Sequence, residues 1–149
     1  MSVGIISRNV GRKISVRRIK HTAQRIMKIL NQDRTELSLV LVDNQEIRQL
    51  NARYRNKDEP TDVLSFPSGG QISEKPAILG DVIISVEKAE EQARKARKTV
   101  EQEVVTLLIH GILHLLGYDH ERSQREARIM HRLERKVSRA LCEAWALKV

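Results

Sequence analysis

His110-Gly-Ile-Leu-His114-Leu-Leu-Gly117-Tyr-Asp-His120 places three of the chain's five histidines within one short stretch. An α-helix through His110 and His114 sets both imidazoles on one face, roughly 6 Å apart along the axis. Gly117 offers a stop, because glycine accepts the left-handed conformation of a helix C-terminal cap. A chain that turns there brings His120 back toward the other two. Three neutral imidazoles with no fourth protein ligand are the pattern of a catalytic metal site with an open position. The residues leading into the motif, Val104, Leu107 and Leu108, continue into Leu115, and the helix is apolar on most sides. It therefore reads as the central helix of the fold, opened by a capping box of Thr99 and Gln102.

Working outward from that helix, strand-like and helix-like segments alternate. Val3 to Ser7 is a short β-branched strand, and Ser15 caps a first amphipathic helix running to about Asn31 through Ile19, Ala23, Ile26 and Leu30. Leu37 to Val42 is a second strand, apolar on both faces toward its end. Asp43 caps the next helix, with Glu46 completing a capping-box-like pair. Asp62 to Phe66 is a third strand, stopped by Pro67, which cannot donate to the ladder. Ser68 to Pro76 is a surface loop, and Leu79 to Ser85 a fourth strand whose Ser85 caps a helix lined by Ala89, Ala93 and Ala96. Ser123 with Glu126 opens a last helix carrying Met130, Leu133, Val137, Leu141 and Ala144 at helical spacing. This order predicts an α+β fold: a single layer of about four strands covered by about five helices, with the metal site on the central helix. No repeat or linker divides residues 1–149, which read as a single domain.

Aromatic residues make up only 3% of the chain, so the core must be built from Leu, Ile, Val and Ala. The single cysteine, Cys142, allows no intrachain disulfide and is expected to be buried near the apolar stripe of the last helix. No apolar run approaches the roughly 20 residues of a membrane span. The composition predicts a soluble cytoplasmic protein without membrane contact.

The net charge of +8 is concentrated at one end. Residues 1–34 carry nine basic residues and one acid, while the rest of the chain holds 18 of each sign. An excess of this kind suits a polyanionic partner such as nucleic acid, against the alternative of a solvated helix face. An Arg-rich, acid-poor N-terminus also resembles an organellar transit peptide. The capped, amphipathic helix it contains argues for a structural role instead.

The spacing of His110, His114, Gly117 and His120 matches the elongated zinc motif of the metzincin peptidases at the ligands and the glycine. It departs at Gly111, where those peptidases carry the glutamate that activates water. Metal geometry without that base argues against peptide hydrolysis by the same route. Zinc suits an all-imidazole site, and nickel, iron or cobalt would also accept it. Asp119 either orients an imidazole or forms a turn. His21 and His131 have no partner pattern and read as ordinary surface or structural residues. Arg55 stands in a polar stretch before a Pro-containing loop. Its guanidinium could hold a phosphate if that loop faces the metal, or be a plain surface charge.

Three blocks carry a resemblance to a known family. They are Asn51 with Tyr54-Arg-Asn-Lys-Asp-Glu-Pro-Thr-Asp-Val-Leu-Ser-Phe-Pro67, then Leu79-Gly-Asp81, then the His110–His120 motif. Together they resemble the YbeY-type metallo-endoribonucleases, also described as rRNA maturation factors. The resemblance implies a zinc-dependent endoribonuclease selective for single-stranded RNA, acting in 16S rRNA 3′-end maturation and ribosome quality control. It implies His110, His114 and His120 as metal ligands and Arg55 as a functional residue in the cleft. It also implies association with the small ribosomal subunit and with the Era GTPase. The alternative is a non-catalytic RNA-binding assembly factor with a structural metal.

Overall fold

A computed structural model of the chain describes residues 2–11, 14–32, 34–68 and 77–146. The elements follow the predicted order: β1 (Ser2–Ser7), α1 (Val16–Ile29), β2 (Thr35–Val42), α2 (Asn44–Arg55), β3 (Val63–Pro67), β4 (Ala77–Ser85), α3 (Val86–Ala96), α4 (Val100–Leu115) and α5 (Gln124–Ala146). The expected loop at Ser68–Pro76 lies, after Ser68, outside the described residues, as does the side chain of Ala144.

The strands form one mixed sheet in the order β1-β2-β4-β3. β1, β2 and β4 are parallel, and β3 runs antiparallel to β4 at the edge. Alternation along β2 assigns its two faces. Leu37, Leu39 and Leu41 join the main core with α1, α3, α4 and α5. Val42 points the other way and packs with Ile47 of α2, Leu64 and Ile83. Helices therefore cover both faces, with α2 alone on the second.

α4 sits in the middle of the larger layer, packed against α1, α3, α5, β3 and β4. Ile109, Ile112 and Leu113 are fully buried, each contributing about 1.5–3 kcal/mol through removal of its side chain from water. Its capping box is complete: Gln102 N donates to Thr99 Oγ1 at 3.1 Å, and Thr99 N donates to Gln102 Oε1 at 2.9 Å. Gly111 is the point of closest approach to the sheet. A Cβ there would stand 2.8 Å from Val82 Cγ1 and 3.2 Å from Ser65 Oγ, and that hydroxyl donates to the Gly111 carbonyl at 3.0 Å. The missing peptidase glutamate thus has a packing reason: the position faces β3 and β4.

Two other expected capping boxes are only half made. Asp43 accepts from Glu46 N, but the Glu46 carboxylate turns away to Arg8 at 3.0 Å. Ser123 accepts from Glu126 N, while the Glu126 carboxylate pairs with Arg122 at 3.4 Å. In both cases a nearby guanidinium offers the carboxylate a charge-assisted bond in place of a neutral amide. Cys142 is exposed, contrary to its expected burial. It is one residue beyond buried Leu141, and about 100° of helical rotation carries it off the core face.

Candidate metal centre

α4 ends where the histidines need it to. Leu115 is its last residue, Gly117 takes φ 101°, Gly117 N donates to the His114 carbonyl at 3.0 Å and Tyr118 N to the Leu113 carbonyl at 3.1 Å. That pair of bonds is a Schellman cap, which satisfies the last carbonyls and reverses the chain. Asp119 then holds a tight turn by accepting from Glu121 N at 2.9 Å. The reversal carries His120 to within ring-centroid distances of 5.2 Å from His110 and 5.6 Å from His114, while His110 and His114 are 4.8 Å apart.

One ring nitrogen from each histidine falls within 4.8 Å of the others, and these three are the group among the described residues that converges in this way. The donor set fits a metal ion on chemical grounds. Burial, then the neighbouring His110, lowers the His114 pKa, which favours the neutral ring with a lone pair to give. The carboxylate of Glu134 on α5 lies 3.7 Å from His110 Nδ1, longer than a hydrogen bond but placed to orient that ring and leave Nε2 for a ligand. The pull of the His110 ring holds the Glu134 carboxyl below its ordinary pKa against the opposing effect of burial.

A cleft of about 740 Å³ opens in front of these rings. His110, His114 and His120 line one wall; Arg55 and the edge strand β3, from Val63 to Pro67, line the other. Arg55 is the last residue of α2, which stops because Asn56 takes the left-handed conformation at φ 56°. Buried Asn51 ties the loop beyond it back to the helix, donating from Nδ2 to the Glu59 carbonyl at 2.9 Å. The structure thus brings Arg55 into the cleft with the histidines. Gly80 supports the same wall from behind: it has φ 148°, and a Cβ there would meet Leu115 Cδ2 at 2.9 Å and the backbone of Phe66 and Pro67.

Of the two alternatives for Asp119, the turn is the one its hydrogen bond makes, and the residue also lines the cleft. The Glu121 amide, with His114 and Arg122 adding to it, holds its carboxyl below the usual range. His21 is exposed, and His131 is exposed with its Nδ1 4.0 Å from Glu134. Glu134 was not foreseen. Its signal in the sequence is a single acid set into the apolar stripe of α5, beside Leu133 and between Met130 and Val137.

Residues 5–142 match the family model described as Endoribonuclease YbeY. The chain belongs to this family. It is 45% identical to the Endoribonuclease YbeY of Sulfurihydrogenibium sp. over 89% of this chain and 88% of that protein. It is 46% identical to that of Aquifex aeolicus over the same shares. The solution structure of TM1509 from Thermotoga maritima superposes with a TM-score of 0.69 at 31% identity, covering 98% of this chain and 93% of that one. No helix among the described residues is long and apolar enough to cross a membrane. The YbeY blocks quoted from the sequence all meet at the cleft: the Arg55 stretch on one wall, the histidines on the other, and Gly80 behind β3.

Proposed function

We propose that residues 1–149 form one metal-dependent endoribonuclease domain that hydrolyses phosphodiester bonds of single-stranded RNA in this cleft. The observation that carries the reading is that Arg55 lines the same cleft of about 740 Å³ as three converged imidazoles. His110, His114 and His120 would hold the metal, and an all-imidazole set suits zinc best, with nickel, iron or cobalt as acceptable substitutes. A zinc ion supplies Lewis acidity to a phosphoryl oxygen and brings the pKa of a water down to about 7.

The chain's own residues do the rest. Burial favours the neutral form of His114, and Glu134 stands where it can orient the His110 ring. Arg55 contacts the phosphate as a two-pronged donor and neutralises charge as it develops. Two of the carboxylates lining the cleft already accept hydrogen bonds from the chain. Asp62 is engaged by Val63 N at 2.8 Å and Gln92 Nε2 at 3.2 Å, and Asp119 by Glu121 N.

Family membership supports ribosomal RNA as the substrate, specifically maturation of the 3′ end of 16S rRNA and ribosome quality control. The small ribosomal subunit and the Era GTPase are the proposed partners, in the cytoplasm. A structural metal in a non-catalytic assembly factor is disfavoured by the ligand set. Structural zinc sites close with four protein ligands, and no fourth joins the three histidines among the described residues. Metal analysis coupled to cleavage of single-stranded RNA tests the proposal. Wild-type protein should carry about one metal per chain and cut, whereas His114→Ala should do neither. Cleavage by metal-free His114→Ala would overturn it.

A further inference from the structure

α5 carries Arg125, Arg128, Arg132, Arg135 and Arg139, spaced by three and four residues in alternation. That spacing puts all of them on one side of the helix. The side is the outer one: Met130, Val137 and Leu141 are buried on the inner face, and each of the five arginines is exposed. The row is about 21 Å long at 1.5 Å per residue. It starts four residues after Glu121, which lines the cleft.

Two observations set this row apart from an ordinary solvated face. First, none of the five makes an ion pair among the described residues. The basic residues of α3 do. Arg94 pairs with Glu90 at 3.6 Å, Lys95 with Glu91 at 3.7 Å and Lys88 with Glu91 at 3.7 Å. Like charges three and four apart on a helix repel one another, and no described acid side chain pairs with these five to offset that. Second, the row is wholly arginine, the residue that meets phosphate with a planar pair of donors.

We infer that the outer face of α5 is a phosphate-binding surface that holds the RNA backbone flanking the segment in the cleft. This rests on the endoribonuclease reading. It predicts that RNA longer than the cleft gains affinity from α5, by neutral exchange of phosphates for counterions and without base preference.

The test uses full-length protein with Arg128→Gln, Arg132→Gln and Arg135→Gln combined, checked for an unchanged unfolding temperature. Two single-stranded RNAs are compared, one short enough to fill only the cleft and one carrying the same segment with flanks. The variant should cut the short RNA as the wild type does. Its affinity for the long RNA should fall at least tenfold at low salt. The slope of log K against log salt should drop by about 2, since each phosphate contact to a single strand contributes about 0.7. Placing lysine at the three positions should restore most of the slope. An unchanged slope and affinity in the folded variant would overturn the inference and leave the row to an acidic protein surface. If the wild type cuts neither RNA yet binds the long one in an α5-dependent way, the surface stands and the endoribonuclease reading falls.

Discussion

His110 and His114 stand on a helix enclosed by α1, α3, α5 and the sheet, whereas Arg55, which lines the same cleft, stands at the exposed end of α2, the helix that covers the other sheet face alone. The difference follows from what each wall must do. Three imidazoles must converge before an ion arrives, so their backbone is held by packing, by a complete N-terminal capping box and by a Schellman cap. A phosphate contact needs one long side chain whose partner comes with the substrate. There it suffices to fix where the helix stops, which Asn56 and buried Asn51 do.

The two walls should therefore respond differently to substitution. His110→Ala should abolish both metal binding and RNA cleavage, the largest effect, read by metal analysis and a cleavage assay on the same sample. Arg55→Ala should lower kcat by about 10²–10³-fold, the range for loss of one donor to developing charge, while metal content and unfolding temperature stay as in wild type. A loss of metal in Arg55→Ala would break the division between the walls. Glu134→Gln should weaken metal affinity by about 10–100-fold, as removal of a ligand-orienting carboxylate does, with the apo-protein still folded. Competition with a chelator measures it.

Gly111→Ala probes the packing beneath the histidines. Its Cβ must displace Val82 or Ser65, so stability should fall by about 1–3 kcal/mol, seen in chemical denaturation, with part of the metal affinity lost as α4 lifts. Asp58→Asn should matter least. The Arg48 guanidinium, at 2.8 Å, holds the Asp58 carboxyl below its ordinary pKa. Its contribution is present above the unfolded-state pKa and is lost as pH falls through the lowered folded-state value. The pair is fully exposed, so the change in unfolding temperature near neutral pH should be close to zero and vanish in salt. A large effect there would mean that the Arg55 wall depends on this bridge for its shape.

Much of the fold was legible from local pattern. Ser15, Asp43, Ser85 and Thr99 cap helices as their residue types require, and each accepts the amide three residues on. Where a capping pattern met a guanidinium, the guanidinium prevailed, whether far off in the chain, as Arg8 is from Glu46, or four residues away, as Arg122 is from Glu126. Charge counting had a similar blind spot. α5 holds six basic residues and three acids, but these vanish in a total that sums to zero beyond residue 34. Only their angular placement around the helix separates a row of arginines from the acids beside it.

The three histidines belong to what the sequence determines alone. Their convergence needs one helical turn and one glycine reversal, and both are encoded within the eleven residues that contain them. Strand order, the placement of α2 on the second face, the approach of Arg55 to the histidines and the contact of Glu134 with His110 were decided by tertiary structure. Each joins residues far apart in the chain, and it is the burial of both sheet faces, a property of the whole chain, that sets which elements meet.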